Sequence, residues 1–291
     1  MMTPLSPFLR SLPGPKAVSR HRRRSRWPVL KALAAAALLY AGLNQPAAAQ
    51  VLYHYEADFS GTGGSLPAGW LADVAPTGAR FNLDGSGKLS FDFIGTASSA
   101  GKGVAYWAGN AGPVQNGEIA DAVVTTVLEL PTLHNFQSSG IVARMSETNA
   151  ADAVGYFAGL YRSSNTNTLV IATDPSGNGF GEVLNTATVT ISANTSYLLT
   201  FEVTGDQLTA TLFDATGENQ IISISATDST YASGTFGLRA RSHGADRVFA
   251  YSSYQIDVHA VPEPSATAML SLMAGGLLAF QLARKRKTKT A

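Results

Sequence analysis

Residues 197–212, YLLTFEVTGDQLTATL, decide the fold class of this chain. Apolar residues occupy alternate positions from Tyr197 to Val203 and again from Leu208 to Leu212, with mostly polar residues between them. Because successive side chains of a strand point to opposite faces, this pattern predicts two half-buried strands. Gly205-Asp206 separates the strands and places glycine first, as a two-residue type II′ turn requires. The segment therefore predicts a β-hairpin.

The same alternation recurs throughout residues 51–258, and no part of that range keeps a helical period. Further strands are predicted at residues 52–59, 88–93, 103–107, 122–130, 139–145, 155–161, 168–173, 222–226, 236–240 and 254–258. Clusters of turn-forming residues, such as 84–87 and 174–179, separate these segments. Many short strands without an internal repeat indicate an all-β, two-sheet sandwich of the jelly-roll type.

Five segments spread over this body form a loose pattern: DFSG at 58–61, LPAGW at 66–70, GIVAR at 140–144, the hairpin at 197–209 and GTFGLR at 234–239. The pattern resembles the concanavalin A-like, laminin-G-like family of lectin domains. This resemblance implies the fold of a jelly-roll sandwich. It implies no particular activity, because one fold carries many functions.

The formal net charge of +1 conceals an uneven distribution of charge. Residues 1–49 carry eight Lys or Arg and residues 284–291 carry five, and neither segment contains an acid. Residues 50–260 carry eight Lys or Arg and nineteen Asp or Glu, which gives a formal charge of −11. Since nucleic-acid binding needs clustered cations, this acidic body argues against nucleic acid as a partner. The absence of cysteine excludes disulfides, thiolate metal sites and cysteine nucleophiles.

Residues 1–49 are predicted to be a signal peptide. The basic segment RHRRRSR at 20–26 precedes the apolar run ALAAAALLYAGL at 32–43, and Ala47-Ala48-Ala49 then offers a site for signal peptidase before Gln50. The apolar run has 12 residues. As a helix it measures roughly 18 Å, too short to cross a hydrocarbon core of about 30 Å. An uncleaved N-terminal anchor is the alternative.

Residues 261–291 are predicted to be a membrane-inserted tail. Val261, Pro262, Glu263 and Pro264 precede an uncharged run of 18 residues at 266–283. A helix of that length measures roughly 27 Å and predicts a transmembrane span. The run is followed by a basic end, residues 284–289, which contains Arg284, Lys285, Arg286 and Lys287. The positive-inside rule keeps this end in the cytoplasm and the body, residues 50–260, outside.

The order of motif, helix and basic end resembles the PEP-CTERM sorting signal of Gram-negative bacteria. That resemblance implies cleavage near the motif by a membrane peptidase, an exosortase. It also implies transit through the inner membrane to the cell surface or extracellular matrix of a host that makes exopolysaccharide. The alternative is an ordinary C-terminal anchor in which Pro-Glu-Pro occurs by chance.

No catalytic constellation is evident in the sequence. Sandwich glycosidases need two carboxylates on one strand face, and the nearest approach is Glu118-Ile119-Ala120-Asp121. Its spacing of three places the two acids on opposite faces of a strand, so both are expected to be solvated acids at a loop-to-strand junction. The histidines are scattered, and no Gly-x-Ser-x-Gly elbow occurs.

Calcium is the one cofactor that the sequence suggests, as a structural ion. Asp174, Ser176 and Asn178 lie at alternate positions, with Gly179 at the sixth, as at the beginning of an EF-hand loop. Position twelve is Asn185 rather than Glu, and a Gly-rich hairpin turn explains the same residues. Asp58 and Asp257 are further candidate ligands, because lectin-like sandwiches often hold a structural calcium.

Aromatic side chains on a concave sheet are the candidates for glycan contact, here Trp70, Tyr106, Trp107 and Tyr161, and each could equally belong to the core. The favoured interpretation is a non-catalytic surface or matrix protein associated with extracellular polysaccharide. A glycan-active hydrolase of the same sandwich class and a purely structural adhesin are the alternatives. A hydrolase would have two carboxylates converging in a cleft, whereas a binding protein would have a bare aromatic groove.

Overall fold

The structure is a computed structural model that describes residues 50–61, 64–75, 79–93, 100–107, 119–146, 154–174, 180–243 and 247–259. Contacts within the chain delimit a compact unit, Ala47–Glu263, and all the described residues belong to it. Among them the regular elements are β-strands arranged in two antiparallel sheets. The predicted all-β, two-sheet sandwich is confirmed.

The first sheet has eight strands in the order β13-β12-β11-β6-β15-β4-β3, and β1 also pairs with β15. Its strands are β1 (Val51–Ala57), β3 (Ala79–Leu83), β4 (Leu89–Phe93), β6 (Ala122–Glu129), β11 (Ser196–Thr204), β12 (Gln207–Asp214), β13 (Gln220–Thr227) and β15 (Arg247–His259). The predicted hairpin is β11 and β12: Thr204 lies opposite Gln207, and Gly205 has a φ of 58°. That φ is the one that the first position of a type II′ turn requires.

The second sheet has seven strands in the order β10-β9-β8-β7-β14-β5-β2. They are β2 (Trp70–Ala75), β5 (Ala100–Trp107), β7 (Gln137–Met145), β8 (Gly155–Ser163), β9 (Thr166–Asp174), β10 (Val183–Thr188) and β14 (Thr235–His243). Strands β2, β3 and β10 are absent from the sequence prediction. Each of the three is the last strand at an edge of its sheet.

The hydrophobic core lies between the two sheets and takes alternate side chains from both. Leu199 and Phe201 of β11 and Ile256 of β15 contribute from the first sheet, and Ile141 of β7 and Leu238 of β14 contribute from the second. All five are fully buried. Since the side chains of a strand alternate, the neighbours of Ile141 and Leu238 in sequence must point to the opposite face of the seven-stranded sheet. We call that opposite face the outer face.

Candidate functional site: the outer face of the seven-stranded sheet

The outer face carries a second apolar cluster, separate from the core. Val104 and Tyr106 of β5, Val142 of β7, Phe157 of β8 and Val170 of β9 form it and are buried. Tyr161 and Phe180 pack against the cluster and are partly buried. The outer face is therefore sheltered from solvent, which is unusual for a face that does not pack against the other sheet.

Three charged side chains from three different strands meet on this face. The Nζ atom of Lys102 lies 3.2 Å from Oδ2 of Asp174, and the Nε atom of Arg239 lies 2.9 Å from the same oxygen. All three side chains are at most 1% exposed. The guanidinium of Arg239 also lies 4.8 Å from the ring centroid of Phe157 and 5.2 Å from that of Phe180. The carboxylate of Asp174 is thus neutralised by two cations, one of which stacks on aromatic rings.

The contact between Lys102 and Asp174 shows that the sheet curls. Lys102 is on β5 and Asp174 is on β9, and strands β14, β7 and β8 lie between β5 and β9 in the sheet. Lys102 pairs with Arg241 of β14, and Asp174 pairs with Gly155, the first residue of β8. Facing glycines allow the curvature: a Cβ on Gly140 would lie 2.6 Å from the Cα of Gly159, closer than real side chains approach. The curl therefore brings Lys102 and Asp174, whose strands are not neighbours in the sheet, into one buried cluster.

Burial dominates the electrostatics of the cluster. It lowers the pKa of Lys102 from its ordinary value, while the charge of Asp174 opposes this shift and the charge of Arg239 adds to it. Burial also lowers the pKa of Arg241, again with a contribution from Arg239. The sequence analysis named Asp174 as a candidate calcium ligand but did not include Lys102, Arg239 or Arg241. Arg239 lies in the predicted strand 236–240 and Arg241 follows directly after it, and this spacing of two is the signal that places both cations on one face.

The aromatic candidates for glycan contact lie in different environments. Trp70 is 4% exposed, its Nε1 donates to the hydroxyl of Tyr55 at 2.9 Å, and its ring packs edge-to-face on Phe59 and Tyr254. That indole belongs to the core. Trp107 pairs with Trp70 through the backbone of β5, and its side chain lies outside the described residues. Tyr106 is buried in the outer cluster, and Tyr161 is partly buried beside it.

Asp121, the second acid of the glycosidase-like segment, has a structural role. Arg144 donates to Oδ1 of Asp121 at 3.1 Å and to the carbonyls of Ala120, Tyr231 and Gly205 at 2.7–2.8 Å. Both charged side chains are buried, so the expectation that Asp121 is a solvated acid is wrong: it is the buried partner of a cation. Asp121 therefore helps to bind β7 to the turn between β11 and β12. Glu118 lies outside the described residues.

The calcium candidates do not converge in the described part of the chain. Asp174 is paired with the two buried cations, and Asn178 lies outside the described residues. Asp58 is exposed, accepts hydrogen bonds from the amide and hydroxyl of Ser60, and lines a cleft of about 620 Å³ with Glu56. Within the described ranges, no group of three or more His, Cys, Asp or Glu side chains is placed to hold a metal ion.

Asp257 instead pairs with a histidine. Oδ1 of Asp257 lies 2.6 Å from Nδ1 of His54, and the Nε2 atom of that ring lies 3.9 Å from Glu56. The hydrogen bond to Asp257 raises the pKa of His54. These side chains lie on the outward side of β1 and β15, where the first and last strands of the body pair.

The predicted signal peptide, sorting motif, membrane helix and basic end all lie outside the described residues. No helix long and apolar enough to cross a membrane occurs in the ranges that the structure describes. Strand β15 ends at His259, three residues before Pro262. The motif therefore follows the folded body within roughly 10 Å of extended chain.

Comparison with known proteins identifies the tail. Residues 260–287 match the family model of the PEP-CTERM protein-sorting motif. The predicted sorting signal is therefore confirmed, and it indicates an exported protein that is anchored in a membrane during transit. No curated protein matches the sequence of this chain.

Solved structures resemble the body at low sequence identity. They include the carbohydrate-binding module CBM66 from Bacillus subtilis, with 16% identity, a TM-score of 0.45, and coverage of 65% of this chain and 95% of that one. The Lotus tetragonolobus seed lectin has 12% identity and a TM-score of 0.48, over 73% of this chain and all of the lectin chain. A xylan β-1,4-xylosidase from Bacillus halodurans has 14% identity and a TM-score of 0.47, over 69% of this chain and 38% of the enzyme. The chain carries a confirmed PEP-CTERM sorting motif that follows a two-sheet β-sandwich body.

Proposed function

We propose that this protein is a non-catalytic surface or matrix protein whose sandwich body associates with extracellular polysaccharide. The observation that carries the proposal is the composition of the outer face. Arg241, Tyr161 and Phe180 are only partly buried there, and they lie beside the buried cluster in which two cations hold Asp174. Glycan-binding surfaces combine aromatic rings with a few fixed polar groups, and the outer face offers both.

The same face gives little support to the hydrolase alternative. Glycoside hydrolysis needs one carboxyl group as acid and a second as base or nucleophile, about 5–9.5 Å apart. Asp174 is buried, and its carboxylate is already in contact with Lys102 and Arg239. Asp73, another described carboxylate on this face, lies on edge strand β2 opposite Val104, five strands away from Asp174 in the sheet order.

In this proposal, the tail directs the body to the cell surface or matrix. Signal peptidase removes residues 1–49, the helix at 266–283 holds the body at the inner membrane of a Gram-negative cell, and an exosortase cuts near Pro262-Glu263-Pro264. The body then reaches the cell surface or matrix. The sorting motif supports this sequence of events, and because only two residues separate β15 from Pro262, we expect the cut to lie close to the body.

Affinity electrophoresis of the full chain in nonionic micelles tests the proposal. Gels containing neutral or acidic polysaccharides should retard the protein, and heat-unfolded protein, which keeps the basic ends, should not be retarded. Incubation with the same polymers should release no reducing ends. Release of reducing ends that is lost in the D174N variant would establish the hydrolase instead. Equal migration in all gels would contradict polysaccharide association.

A further inference from the structure

Arg241 is a charged group of the outer face for which no ion pair occurs among the described residues. It lies on β14 between Lys102 of β5 and Ser138 of β7, and beyond Ser138 in the same row is Tyr161 of β8. The side chain is mostly buried, and its Nε atom is buried without a hydrogen-bond partner. A donor that has lost water without gaining an acceptor is costly, and this Nε–H group is such a donor.

The other cations of the body whose side chains are described all have acceptors. Arg144 binds Asp121 and three carbonyls, Lys88 binds Glu129 at 2.7 Å, and Lys102 and Arg239 contact Asp174. Arg162 donates to two asparagines, and Arg80 lies 3.9 Å from Asp92. Acids outnumber cations by nineteen to eight in residues 50–260, yet none of the described acids pairs with Arg241. Its isolation is therefore not due to a shortage of carboxylates.

The charged groups around Arg241 favour binding of a negatively charged ligand over pairing with a carboxylate of this chain. Arg239 and Lys102 add positive charge to its surroundings, and Asp174 is already shared between those two cations. Asp73 on the edge strand β2 faces the same side but lies opposite Val104, two strands from Arg241. A negatively charged ligand at Arg241 would meet a fixed guanidinium in surroundings of low dielectric, where a charge-assisted hydrogen bond is strong.

We propose that Arg241 binds the carboxylate of an acidic sugar unit, with Tyr161 as the neighbouring contact for the sugar ring. This inference rests on the proposed association with polysaccharide and specifies the ligand as a uronate-containing polymer. The planar guanidinium fork matches a carboxylate with two parallel hydrogen bonds. Tyr161 is partly buried and offers a ring next to the guanidinium, with which its hydroxyl interacts electrostatically.

The test is isothermal titration of the full chain, in nonionic micelles at 150 mM NaCl, with three trisaccharides: trigalacturonate, neutral galactotriose and a sulfated galactotriose. At this salt concentration exposed cations are screened, so the basic ends of the chain contribute little to binding a short ligand. R241Q should bind trigalacturonate at least tenfold more weakly, the loss expected for one charge-assisted bidentate contact. R80Q, which removes an exposed cation from the other sheet, should bind like the parent protein.

R241K keeps the charge and loses the fork, so it should bind with an intermediate affinity if the contact is bidentate. Circular dichroism establishes whether each variant is folded. If R241Q does not fold, the affinity of R241K for trigalacturonate is compared with that of the parent protein instead. Equal weakening in R80Q and R241Q, or preference for the sulfated trisaccharide, would overturn the inference. Equal binding of galactotriose would overturn it while leaving polysaccharide association intact. Failure to bind any of the three sugars, together with normal migration in the polysaccharide gels, would remove both proposals.

Discussion

Arg144 is the residue on which the junction between the two sheets depends most. It has a φ of 51°, an uncommon conformation for a residue with a side chain, and four hydrogen bonds hold it there. Its partners belong to the segment before β6, the β11–β12 turn and the segment before β14. Arg144 therefore fixes three connections that are far apart in the sequence.

Replacing Arg144 by alanine should destabilise the body by about 3–5 kcal/mol, because the buried carboxylate of Asp121 and three carbonyls lose their donor. The matched control is R80A, whose side chain is 62% exposed and should change stability by no more than about 0.5 kcal/mol. Urea denaturation of both variants measures the difference. Equal denaturation midpoints would show that Arg144 does not hold the junction.

His54 should titrate above the ordinary histidine value of 6.5, because its hydrogen bond to Asp257 favours the charged ring. A raised pKa in the folded state means that the pair stabilises the body fully below about pH 6.5, the unfolded value. The stabilisation is lost as the pH rises through the raised pKa. NMR titration of the ring should show the raised value in the parent and a lower one in D257N. An unchanged value in D257N would disprove the role of Asp257.

At the scale of single residues, the sequence revealed the chemistry of the tail better than that of the body. Pro262, Glu263 and Pro264 are recognisable because their neighbours in sequence complete the motif. The outer-face cluster unites Lys102, Asp174 and Arg239, which meet only because the sheet curls. Local alternation predicts which face a side chain occupies, but not which distant strand it will meet there.

At the scale of elements, the interior strands were predictable and three edge strands were not. An interior strand such as β11 is hydrogen-bonded to a neighbouring strand on each side and buries one face. Its apolar and polar residues therefore alternate clearly. β10 contains VLNTAT, in which polar residues occupy positions on both faces, and it has a neighbour on one side only. An edge strand can be polar and short because its backbone is satisfied partly by water, so it leaves a weak pattern in the sequence.

The tail is the element on which processing depends, and its two parts can be separated by mutation. Replacing Pro262, Glu263 and Pro264 by alanine should leave membrane insertion intact and stop cleavage, because the rigid, extended motif is the feature expected to enter the peptidase. Replacing Arg284, Lys285, Arg286 and Lys287 by glutamine should weaken orientation and retention in the membrane. Immunoblots of membrane and secreted fractions distinguish the two effects. Normal cleavage of the alanine variant would contradict recognition of the motif.

At the scale of the whole molecule, the two ends of the body lie together. Val51 pairs with His259, so the first strand after the predicted signal peptide is the neighbour of the last strand before the motif. In the proposed route, removal of residues 1–49 and of the tail would therefore cut the chain only outside the paired strands β1 and β15.

The body should fold without either end. Its core takes side chains from both sheets within residues 57–258, and its formal charge of −11 favours solubility. Residues 50–260 produced alone should be soluble and unfold in one cooperative thermal transition, measured by circular dichroism. Aggregated or unfolded protein, under conditions in which the full chain is folded, would show that the boundaries are wrong.

The mass of the mature protein in the extracellular polysaccharide of its native host tests export, processing and association together. The polysaccharide fraction should contain a species that begins at Gln50 and ends near Pro262, with neither the helix at 266–283 nor the basic end. Mass spectrometry of that fraction and of the membranes gives the answer. A full-length chain confined to the membrane fraction, and absent from the polysaccharide, would make this protein a membrane-anchored sandwich and contradict its release into the matrix.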